Sequence, residues 1–151
     1  METWKEFQAN VLTHSASHHL QAIHELGQQY GGWARVSDIA RRLGITRGSV
    51  SINLRVLKKR SLVEADEHRM VRLTAEGQRI VNDVMAKKEA VQTFLQHVLN
   101  LSAEQAEVDS CKIEHLISTL TAERMQRYVA LMKAEPSLSR DLLSRLRLPA
   151  A

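Results

Sequence analysis

Gly44-Ile45-Thr46 stands between two short amphipathic segments, and few folds accommodate that arrangement. Glycine permits the left-handed residue that ends one helix, and threonine caps the next. Ile45 is placed to plug the angle between them. Upstream, Val36 to Leu43 reads as a short helix with Ile39, Ala40 and Leu43 buried and Ser37 as its cap. Downstream, Arg47 to Arg60 reads as a helix with Val50, Leu54 and Leu57 facing inward. Leu62 to Asp66 and Met70 to Leu73 are strand candidates joined around Glu67-His68-Arg69. Ahead of all these, the first 30 residues carry apolar residues at helical spacing (Trp4, Phe7, Val11, then Ala22, Ile23, Leu26), ended by Gly31-Gly32. Helix, helix, turn, helix and small hairpin make a winged helix-turn-helix.

The rest of the chain is helical. Thr74 starts a long helix to about Asn100 with Ile80, Val84, Val91, Leu95 and Val98 on one stripe; Lys88 falls on that stripe. Ser102 and Gln105 have capping-box spacing. In the helix that follows, Ala106, Ile113, Leu116, Ile117 and Leu120 are assigned to one face. Glu107, Cys111, Glu114, His115 and Ser118 are assigned to the other. A further helix spans roughly Ala122 to Lys133, with Met125, Val129 and Met132 in register; Pro136 ends it, and Leu138 to Leu148 is a last amphipathic piece. The expectation is a mainly α chain. Residues 1–78 form a winged helix-turn-helix DNA-binding domain, and residues 79–151 form an all-helical dimerisation and metal-binding domain.

The helix after the turn has the chemistry of a groove reader. Thr46, Ser49 and Ser51 offer hydroxyls, Arg47 a guanidinium and Asn53 an amide, groups able to reach base edges and phosphates. Arg55, Lys58, Lys59 and Arg60 supply backbone-directed charge, and Arg69 and Arg72 on the wing add more. A net charge of +4 is compatible with that use. The competing reading is a solvated face in a protein-interaction module. One cysteine excludes an internal disulfide framework and fits a reducing cytoplasm. The absence of a long apolar run or leader pattern argues against a membrane segment. No phosphate loop or nucleophile–base pair suggests an enzyme.

Cys111, Glu114 and His115 share one face at i, i+3 and i+4 if their segment is helical. Thiolate, carboxylate and imidazole together suit a divalent transition metal. The ordinary reading of His14, His19, His24, His68 and His97 is surface or structural.

Ala34-Arg35-Val36-Ser37-Asp38-Ile39-Ala40, the helix around Val50-Ser51, Leu73-Thr74-x-x-Gly77 and Ile113-Glu114-His115 stand in matching order with a known family. Over about residues 15 to 133 the chain resembles the metal-dependent repressors of the diphtheria toxin repressor and manganese transport regulator family. It looks like the shorter, two-domain branch. The resemblance implies a homodimer that binds a double-stranded DNA operator in the cytoplasm. It would repress metal-homeostasis genes when Fe(II) or Mn(II) is plentiful.

By the same resemblance the main metal site falls on His18, Cys111, Glu114 and His115; Zn(II) or Co(II) also suit these ligands. The second family site is altered. Lys88 replaces its histidine, Gln92 its carboxylate, and Gln21 a carboxylate of the first helix. Lys88 with Glu107 or Glu114 is then a charge pair that substitutes for a metal, and one ion per subunit is expected. The alternative is a metal-independent or thiol-redox-sensing regulator of the same fold, in which the cation at Lys88 favours a Cys111 thiolate. The apolar residues Ile113, Leu116, Ile117, Leu120, Met125, Val129 and Met132 either close the domain core or form a dimer interface.

Overall fold

A computed structural model describes residues 12–145. Trp4, Phe7 and Val11 of the expected first stripe, and Arg147 and Leu148 of the last helix, lie outside those residues. The described chain forms two compact units, 12–82 and 83–145, and the division falls within one long helix. It is mainly helical, with one small sheet, as the sequence predicts. No helix among the described residues is long and apolar enough to cross a membrane.

In the first unit α1 (His14–Gln29) is followed by β1 (Ala34–Arg35), α2 (Val36–Leu43), α3 (Arg47–Lys59), β2 (Val63–Ala65), β3 (Met70–Leu73) and the start of α4 (Ala75–His97). Thr13 caps α1, its hydroxyl accepting from the Ala16 amide at 3.2 Å. Gly31 and Gly32, at φ +64° and +91°, let the chain reverse into β1. The sheet order is β1-β3-β2, all antiparallel, with Ala34 opposite Val71 and Val63 opposite Leu73. Leu20, Ile23, Ile39, Val50, Leu57 and Val81 are fully buried in the core of this unit. Each large aliphatic side chain so buried contributes about 1.5–3 kcal/mol.

The turn between α2 and α3 forms for the reasons read from sequence. Gly44 is left-handed at φ +66°, and the Ile45 amide donates back to the Ala40 carbonyl at 3.0 Å. The Thr46 hydroxyl accepts from the Ser49 amide. Two details differ. Ile45 is 38% exposed rather than a plug; the helix pair buries Ile39 and Val50 instead. Ser37 is not the cap of α2, because β1, two residues with no periodicity to betray them, holds the chain extended through Arg35. The helix therefore begins at Val36, and Arg35 makes no side-chain cap bond.

The second unit holds the remainder of α4, then α5 (Ala103–Ile113), α6 (Thr119–Ala134) and α7 (Pro136–Arg145). Val84, Ala90, Val91, Ala106, Ala122, Val129 and Met132 are buried. Ser102 caps α5 by accepting from the Gln105 amide at 3.2 Å. The reciprocal half of the capping box is not made, since the Gln105 side chain donates to Asp109. Ser118, assigned to α5, instead caps α6, which starts at Thr119, three residues earlier than the sequence suggests. Pro136 opens α7 at its first position, where the missing N–H costs nothing.

Candidate nucleic-acid interface and metal centre

All the residues assigned to DNA lie at the N-terminal end of α3 or in its first two turns, and Thr46, Arg47, Ser49 and Ser51 are exposed. Several are already engaged locally. Ser51 Oγ donates to the Arg47 carbonyl at 2.9 Å, and Asn53 Nδ2 donates to the Ser49 carbonyl at 3.1 Å. Asn53 Oδ1 accepts from Ser15 Oγ at 3.4 Å, and the Thr46 and Ser49 hydroxyls pair at 2.9 Å. A hydroxyl that donates once keeps two lone pairs, so these bonds orient the groups without exhausting them. Arg55, Lys58, Lys59 and Arg60 are exposed. On the wing Arg69 is exposed and sits at φ +60°. Arg72 behaves otherwise than expected. It pairs with Glu64 across the β2–β3 ladder and stacks 4.6 Å from the Trp33 ring centroid. A guanidinium so occupied braces the sheet and is a weak candidate for a phosphate contact.

The metal-type residues fall in both units. In the first unit His18 Nε2 lies 3.1 Å from His14 Nε2, with the rings edge to face. At that distance one ring nitrogen donates to the other, and the tautomers decide which. Sequence alone gives His14 the ordinary reading of a surface histidine; the signal for it is the i, i+4 spacing to His18 on α1. Gln21, where the resemblance places a carboxylate, donates to Ser17 Oγ at 3.1 Å. His19 is buried, with Nδ1 bonded to the Ser15 carbonyl at 2.7 Å.

In the second unit Cys111 is the last-but-two residue of α5. Glu114 is its C-cap, still right-handed at φ −48° and ψ −37°, and its amide donates to Ser110 O at 2.9 Å. Cys111 and Glu114 therefore keep helical spacing, while His115 stands in the turn beyond. The expected division of faces is wrong. The buried row of α5 is Ala106, Ser110 and Glu114, at i, i+4 and i+8, and Glu114 is 0% exposed. Leu116 and Leu120, assigned to the packed face, are 51% and 60% exposed, because the helix stops at Ile113 before their register can continue. A carboxylate on the buried row is costly unless a cation or hydrogen bonds answer it.

Lys88 projects its ammonium to Glu107, 2.5 Å from Oε1. The pair is partly exposed, so it contributes at most about 1 kcal/mol to stability. Its consequence is electrostatic. Burial works against the Lys88 charge, but the bond to Glu107 and the charges of Glu107, Glu114 and Cys111 together raise its pKa above the ordinary lysine value. An ammonium held protonated has no lone pair for a metal, so the second family site does not fit an ion here. The main site does fit one, by the donor chemistry of Cys111, Glu114 and His115. Cys111 runs against the thiolate expected of a redox sensor. Burial and then Glu114 push its thiol up, and the opposing effect of Lys88 does not compensate.

Residues 74–143 match the family described as iron dependent repressor, metal binding and dimerisation domain, and residues 12–70 match the MarR family. The HTH-type transcriptional regulator MntR of Lysinibacillus sphaericus is 28% identical over 130 residues, covering 86% of this chain and 92% of that protein. The transcriptional regulator MntR of Escherichia coli is 38% identical over 96 residues, covering 62% of this chain and 61% of that protein. Among solved structures, T. acidophilum IdeR superposes with a TM-score of 0.62 at 28% identity, covering 74% of this chain. This chain spans about half, 53%, of that structure's length.

Proposed function

We propose that this chain, a member of the diphtheria toxin repressor and manganese transport regulator family of metal-dependent repressors, is a dimeric, cytoplasmic repressor of metal-homeostasis genes activated by one divalent ion per subunit. The matching family model is described as an iron dependent repressor domain, and one solved neighbour, SloR, is named a manganese regulator, so Mn(II) or Fe(II) is the ion proposed. His18, Cys111, Glu114 and His115 would hold it. When bound, the ion supplies positive charge and a fixed coordination shell, which keeps its ligands in one arrangement. Cys111 and Glu114 bring anionic donors and His18 and His115 neutral ones, a set softer than an all-oxygen site.

The observation that carries the single-ion reading is the Lys88–Glu107 pair. A protonated ammonium occupies the place of a second cation, supplies its charge and cannot ligate. Calorimetric titration with Mn(II) is expected to give one tight equivalent per subunit; two tight equivalents contradict the reading. The same pair favours a second reading, in which Lys88 answers Glu114 permanently and operator binding needs no metal. Thiol sensing gains no such support, because Cys111 is held protonated.

Thr46, Arg47, Ser49, Ser51 and Asn53 contact the operator in this reading, and the exposed cations of α3 bind its backbone. Leu116, Leu120 and Leu131, 51%, 60% and 53% exposed, supply the self-association face, whereas Val129 and Met132 are already buried. A two-fold dimer places two recognition helices on a pseudo-palindrome. Light scattering at micromolar concentration is expected to give a dimer mass; a monomer mass removes the palindrome argument.

A further inference from the structure

The outward face of α3 has an apolar row that the fold does not require. Gly48, Ile52 and Val56 follow one another at i, i+4 and i+8, on the side opposite the buried Val50, Leu54 and Leu57. Ile52 is 62% exposed, the highest value for a large hydrophobic residue among the described residues, and Val56 is 50% exposed. Both are β-branched and gain nothing from helix propensity. Gly48 is as telling. A Cβ there would meet only Thr46 Oγ1, at 3.7 Å, so internal packing does not demand glycine. Glycine is a poorer helix former than alanine, and Gly48 is the second residue of α3 rather than its cap. The row thus opens with a gap that lets another molecule approach the backbone, and it continues with two bare aliphatic side chains.

Charge identifies the occupant. The row is bordered by Arg55, Lys59 and Arg60, all exposed, with Ser51 and Lys58 exposed further round the helix and no carboxylate anywhere in α3. That border suits a polyanion. The apolar feature a duplex shows within such a frame is the thymine 5-methyl group, which projects into the major groove and belongs to no other base. We propose that Ile52 and Val56 read thymine methyl groups in the operator, with Gly48 letting the helix sit close to the base edges. This inference rests on the DNA-binding reading and adds to it a base preference carried by residues outside the polar set.

The test begins with selection of duplexes from a random library by the full chain, in separate arms with Mn(II), Fe(II) or Co(II). Each thymine of the selected duplex is then replaced singly by deoxyuridine, which removes only the methyl. At one or two positions per half-site the replacement is expected to weaken binding by about four-fold, the value of one buried methyl. In the I52A/V56A variant the thymine duplex binds less tightly and the thymine-to-uracil ratio falls to one. An R55A/K59A variant, by contrast, weakens both duplexes alike and preserves the ratio. Equal binding of thymine and uracil duplexes at every position overturns the proposal, as does a ratio that survives in I52A/V56A. If no arm enriches a sequence and no duplex binds in a salt-dependent way, the DNA-binding reading fails as well, and the row belongs to a protein contact.

Discussion

Replacing Glu114 with Gln is expected to abolish metal-dependent operator binding while leaving the fold intact. The side chain is 0% exposed on the buried row of α5, beside Ala106 and Ser110. Glutamine keeps its shape but removes the anionic oxygen that a divalent ion needs. Loss of a group that merely supports a ligand costs about 10- to 100-fold in metal affinity, so loss of the ligand itself is expected to cost more. A competition titration against a metal indicator measures it, with circular dichroism as the check on folding. A folded E114Q protein that binds Mn(II) or Fe(II) with wild-type affinity removes Glu114 from the site.

Gly77→Ala is expected to destabilise the first unit severely. Thr74 ties the start of α4 to the end of α3. Its hydroxyl donates to the Ser61 carbonyl at 2.7 Å and accepts from the Gly77 amide, while its own amide donates to Leu62 O. The helix is thereby drawn against the backbone of residue 62. A Cβ on Gly77 would lie 2.0 Å from the Leu62 carbonyl oxygen. That atom is main chain and cannot swing away as a side-chain tip can. Alanine gains about 1 kcal/mol in helix propensity, but forcing the backbones apart is expected to cost at least about 3 kcal/mol. For a unit of this size the net loss lowers the melting temperature by roughly 8 °C or more. Calorimetry that finds G77A melting with the wild type would show that α4 can shift freely, contrary to the Thr74 bonds.

The local chemistry of the helix-turn-helix was readable because each part of it is a short-range rule. Gly44 adopts the left-handed cap, Thr46 the N-cap, and Val50, Leu54 and Leu57 the inward stripe. Contacts that depend on distant strands were not readable. β1 exists only because β3 pairs with it, and that pairing displaced Ser37 from its expected role as a cap. Arg72 looked like a phosphate contact until the sheet placed Glu64 and Trp33 against it.

In the candidate site, the resemblance leaves Glu107 and Glu114 as alternative partners for Lys88, and its ammonium pairs with Glu107. The stripe expected on α5 rests on Leu116, Ile117 and Leu120, which lie beyond the end of the helix, and so the faces come out wrong. With its true end at Ile113, Glu114 falls on the buried row. His14 is legible only through its i, i+4 spacing to His18, because a lone histidine at a solvated helix start has an ordinary surface reading.

In the proposed function a metal ion at one site per subunit switches on operator binding. Fluorescence anisotropy of a selected operator duplex tests it most directly, with the chain first stripped by chelator and then supplied with Mn(II) or Fe(II). Sequence-specific binding is expected only after metal is restored. Specific binding of equal strength in excess chelator would contradict it and transfer the switch to the permanent cation at Lys88.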